Sequence, residues 1–63
     1  MSSEEGARDL ARELGRIEES IADLALDALR ATIHGDEAGK ELEKRLARAR
    51  RAVLKARMLL EGI

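Results

Sequence analysis

The chain has 63 residues, with 12 basic and 13 acidic side chains, a formal net charge of −1, and no Cys, Pro or aromatic residue. That composition excludes disulfides, thiolate metal sites and aromatic platforms for stacking bases. A single domain of this length buries only about 60% of the surface its unfolded form exposes, so the reinforcement left to it is a partner subunit.

The first element begins at Ser2 or Ser3, where Ser2 and Glu5 have capping-box spacing. Nothing breaks the helical pattern before His34-Gly35-Asp36, so the first helix is expected over about residues 3–33. Ala7, Leu10, Leu14, Ile17, Ile21, Leu24, Ala28 and Ala31 recur at alternating spacings of three and four, which is a heptad seam. A second stripe, Ala22, Leu26, Leu29 and Ile33, lies off that seam. The stretch 21–33 is therefore apolar on two sides. One side suits the chain's own second helix, and the other suits another chain.

Gly35 can take the left-handed conformation that ends a helix, Asp36 can cap the next, and Glu37 complements its dipole. His34, the only histidine, reads as an exposed residue at a helix C-terminus. A metal role for it would need a symmetry axis, because the chain has no Glu-x-x-His or paired-histidine spacing.

The second helix is expected over about residues 37–61, with Gly62 as its stop. Gly39, Leu42, Leu46, Ala49, Val53, Ala56, Leu60 and Ile63 repeat the seam. Folding at Gly35 would pair Leu10 with Leu60, Leu14 with Ala56, Ile17 with Val53, Ile21 with Ala49, Leu24 with Leu46 and Ala28 with Leu42. The expected fold is all-α, a single antiparallel two-helix hairpin across residues 1–63. Gly15 and Gly39 each cost a helix up to about 1 kcal/mol relative to Ala, so both are expected at close helix contacts. Ala47, Leu54 and Met58 continue the off-seam surface on the second helix. Leaving such side chains wet forgoes roughly 1.5–3 kcal/mol for each large one. Ala22, Leu26, Leu29, Ile33, Ala47, Leu54 and Met58 are therefore the expected oligomer interface.

Charge is segregated. Residues 1–35 carry eight acids and four bases, a net of −4, and residues 36–63 carry five acids and eight bases, a net of +3. Lys44 to Arg57 holds seven basic residues and no acid. Arg48, Arg50, Arg51 and Lys55 could face a nucleic acid or an anionic lipid. Alternatively, Arg48, Arg51 and Lys55 cover the acidic stripe of the first helix, in the same or a neighbouring chain. The second reading is preferred, because aromatic and Asn/Gln partners for bases are missing. Glu19, Asp23 and Asp27 form a carboxylate ladder that reads as a solvated stripe before a cation site. No catalytic, cofactor-binding or metal residue is expected. No apolar run approaches the ~18 residues of a membrane span, and MSSEEGARDL is acidic where a signal peptide is basic. The chain is expected to be soluble, and cytoplasmic when made in bacteria.

Unbroken heptads, the SSEE start, the Gly-Asp hinge and alternating Glu/Arg/Lys surfaces resemble a computationally designed, de novo helical bundle. Glycines inside helices, and Arg preferred over Lys, depart from the idealised pattern. In architecture and length the chain is similar to the Rop-type four-helix bundle, whose RNA face surrounds an exposed Phe. No Phe is present here, so no RNA-contacting residue carries over. The resemblance implies a self-assembling homo-oligomer without catalytic activity. The alternative is a small natural nucleic-acid-binding or regulatory hairpin using the basic face 44–57. An antiparallel dimer is the favoured assembly, because it would set the stripe near the loop of one chain on Leu54 and Met58 of the next; larger assemblies built from that pair also satisfy both stripes.

Overall fold

The computed structural model describes residues 2–62. Its two elements are α1 (Ser3–Ile33) and α2 (Glu37–Glu61), packed against each other as an antiparallel hairpin. Ile63, the last expected seam residue, lies outside the described residues.

Local chemistry sets the ends. The Ser2 hydroxyl accepts from the Glu5 backbone N–H at 3.1 Å, satisfying one of the free donors of α1. Gly35 takes φ +90°, a conformation that other residues resist, and turns the chain. The Asp36 carboxylate then accepts from the Ala38 N–H at 2.9 Å and starts α2. Gly62 ends α2 with φ +82°.

The hairpin is a rod with extents of 50 × 14 × 13 Å and a radius of gyration of 14.6 Å. A compact chain of this length would have a radius of gyration of about 11 Å. Its core is thin: among the described residues only Ala11, Ala28, Leu46 and Gly39 are buried.

The line of contact differs from the expected seam. Leu46 is buried, and Leu14, Ile21, Leu42, Val53 and Leu60 are half-buried against the other helix. Leu10, Ile17 and Leu24, however, are 52%, 46% and 46% exposed, and Ala49 is exposed as well. The residues of α1 turned inward are Ala7, Ala11, Leu14, Glu18, Ile21, Ala25, Ala28 and Thr32. Relative to expectation, α1 is rotated by roughly half of the 100° step between residues. The reason is steric. Ala11, Ala25 and Ala28 give α1 a narrow ridge of small side chains along which α2 can approach closely, and the branched residues are pushed to one flank. The helices approach closely at Gly39, where a Cβ would meet the Ala28 carbonyl oxygen at 2.8 Å and the Ala31 Cβ at 3.0 Å. Gly15 behaves differently from expectation. Its nearest neighbour would be the Arg57 Cδ at 3.9 Å, so no close contact requires a glycine there.

Candidate assembly surface

The rotation of α1 gives the rod two unlike long sides. On one, Arg57 of α2 pairs with Glu18 across the hairpin and with Glu61 one turn along its own helix. The Arg57 guanidinium is held above its ordinary pKa, chiefly by the hydrogen bond to Glu18 and then by that to Glu61. Nearer the turn, the Thr32 Oγ1 lies 3.0 Å from the Ala28 carbonyl oxygen and 3.3 Å from the Glu43 Oε2. Its single hydrogen can serve one of them at a time. An open groove of about 780 Å³ runs along the terminal half of this side, lined by Arg8, Arg12, Arg16, Arg50 and Arg57 together with Glu18, Glu19 and Glu61. Local pairing already engages Arg12 with Asp9, and Arg57 with its two glutamates.

The opposite side is apolar. Helical phase puts Leu10, Ile17, Leu24 and Ala31 on one wall of its groove and Leu42, Ala49 and Ala56 on the other. Neither row contains a charge. Leu10, Ile17, Leu24 and Ala49 are exposed, while Ala31, Leu42 and Ala56 are half-buried. Outside these rows, Ala52 and Leu59 are exposed on the flank of α2, Leu59 at 69%. Glu13, Ser20 and Asp27 border the α1 wall, and Arg45 borders that of α2.

Of the residues expected at an interface, Leu26, Leu29, Ile33, Ala47, Leu54 and Met58 are exposed and Ala22 is half-buried. Ala22, Leu29, Ala47 and Leu54 lie toward the ion-paired side, where Ala47 and Leu54 line a groove with Ile21, Ala25 and Leu46, while Leu26, Ile33 and Met58 sit further round on the backs of the helices. Sequence reasoning missed the apolar side because it placed Leu10, Ile17 and Leu24 inside the hairpin. A signal was present in Ala11 and Ala25, small residues suited to a close line of contact.

The basic residues do not cover the acidic stripe within the chain. Arg48, Arg50, Arg51 and Lys55 are exposed, and none forms an ion pair among the described residues. Two further pairs are local: Arg30 with Asp27, and Lys44 with Glu41, each at 3.6 Å. The geometry explains this. Arg48, Arg51 and Lys55 lie on the back of α2 and Asp23 on the back of α1, so the rod separates them, whereas Arg50 and Glu19 share the groove of the ion-paired side without pairing. Glu19, Asp23, Asp27 and His34 are all exposed, and no group of three or more His, Cys, Asp or Glu among the described residues is placed to hold a metal ion.

No protein family, curated protein or solved structure matches the chain. Neither helix is long and apolar enough to cross a membrane.

Proposed function

We propose that this chain is a designed, self-assembling helical hairpin whose one activity is association with copies of itself. The carrying observation is its exposed apolar surface: nine large hydrophobic residues among those described, including Leu10, Ile17, Leu24 and Leu59, are exposed. The rod exposes 4886 Å², roughly 900 Å² more than a compact chain of its mass would. A standard interface takes about 800 Å² from each partner. The hydrophobic effect thus favours a second layer of helices, and a heptad pattern too wide for one partner helix is what a bundle core requires. Idealised caps at Ser2, Asp36 and Gly62 support the designed origin. Sedimentation velocity with native mass spectrometry tests the reading. A single oligomer larger than the monomer is expected at micromolar concentration, and a monomer at every concentration would end it.

Arg48, Arg50, Arg51 and Lys55, exposed and in no ion pair among the described residues, favour a second reading, a hairpin that binds nucleic acid through the basic face 44–57. Retardation of RNA or DNA at low salt, lost steeply as salt rises, would support it. No retardation at low salt would remove it.

A further inference from the structure

We propose that the partner on the apolar side is a second copy related by a two-fold axis lengthwise along the rod, so that α1 of each chain lies over α2 of the other. This rests on the self-assembly reading above and adds the seating of the partner. Two observations choose it over the crosswise two-fold axis, which sets α1 on α1.

The first is side-chain size. The α1 wall is large where the α2 wall is small. Under a lengthwise axis the partner's residues keep their height on the rod. Ile17 then faces Ala56, Leu24 faces Ala49 and Ala31 faces Leu42, each a large residue against a small one. These heights follow the hairpin's own register, set by the pairing of Glu18 with Arg57 and of Thr32 with Glu43. A crosswise axis reverses one chain. It sets Ile17 against Leu24 where α1 meets α1, and Ala49 against Ala56 where α2 meets α2. One helix pair is crowded and the other leaves a void, and both faults destabilise a core.

The second is charge. Asp27 and Arg45 border opposite walls at the same height, so a lengthwise axis places each Asp27 beside an Arg45 from the other chain, twice per dimer. A crosswise axis places Glu13 beside Asp27 instead. The antiparallel pair expected from the sequence uses a different surface, the stripe 22–33 against Leu54 and Met58, and would leave the exposed Leu10, Ile17 and Leu24 wet.

The experiment is a spin-label distance measurement on the full chain with His34→Cys, an exposed site beside the turn. Mass is determined first. A monomer overturns the self-assembly reading and this proposal with it. In an oligomer, a lengthwise axis puts both turns at one end, with helices 8–10 Å apart, so the labels should lie within roughly 25 Å. A separation approaching the 50 Å rod length overturns the lengthwise seating while leaving self-assembly standing. Charge exchange gives an independent readout. Asp27→Arg alone and Arg45→Asp alone should each weaken association by roughly twofold to tenfold. The double variant should restore it. Absence of restoration, with each single variant weakened, also overturns the seating.

Discussion

Gly39 lies against the backbone of Ala28: a Cβ at Gly39 would stand 2.8 Å from the Ala28 carbonyl oxygen, closer than van der Waals contact permits. The helices approach closely beside the turn, and this contact is made by backbone, which cannot swing aside as a side chain can. Gly15 has no such neighbour, so the two helical glycines should respond oppositely to the same substitution. Gly39→Ala gains up to about 1 kcal/mol in helix propensity but forces overpacking that costs typically 1–3 kcal/mol, and net destabilisation is expected. Gly15→Ala should stabilise by up to about 1 kcal/mol. Urea denaturation at one fixed protein concentration measures both, and a Gly39→Ala variant as stable as the parent would contradict the close contact.

Arg57 is the one basic residue that ties the two helices together through a side-chain ion pair among the described residues. Arg57→Met, which keeps much of the apolar stem, should lower the melting temperature. Glu18→Gln made in that background should add less than it does alone, because the pair is already gone. The pH dependence has a definite sign. A folded pKa raised above the ordinary arginine value stabilises fully below that value and is lost only as pH climbs through the raised one, in strong alkali. Between neutral pH and the mildly alkaline range, the Arg57 contribution should therefore be constant. Additive effects in the double variant would show that the contact carries no coupling.

Folding should depend on protein concentration. Ordering the backbone costs about 1–2 kcal/mol per residue, and a core of Ala11, Ala28 and Leu46 offers little to offset it. An obligate oligomer melts lower on dilution. Circular dichroism melts over a hundredfold dilution would show this, and an unchanged midpoint would mean that the hairpin is stable alone.

Two glutamate substitutions separate the apolar surfaces. Leu24→Glu should dissociate the assembly to monomer, because a carboxylate buried without a partner costs several kcal/mol. Leu26→Glu, further round the back of α1, should leave the two-chain unit intact and remove only assembly beyond it. Native mass spectrometry reads both. Dissociation by Leu26→Glu with none by Leu24→Glu would move the primary interface to the stripe 22–33.

The sequence by itself determined the elements, their ends and the way the chain folds back. Those features are local: a hydroxyl at Ser2 aimed at nearby N–H groups, a glycine at position 35 able to turn, a carboxylate at Asp36, and apolar residues at helical spacing between them. Gly39 was legible as a close contact for the same reason, since a glycine on an apolar seam has few other uses. Which part of that seam meets α2 was decided only in three dimensions. An arc running from Ala11 through Leu14 to Leu10 is wider than one helix can cover, and periodicity marks the arc as apolar throughout without saying where the partner sits on it. The choice came from packing: Ala11 and Ala25 admit α2 more closely than Ile17 and Leu24 do, so α1 turned its small residues inward and its branched ones to the flank. That half-residue rotation left Leu10, Ile17 and Leu24 uncovered in addition to the apolar residues further round the helices.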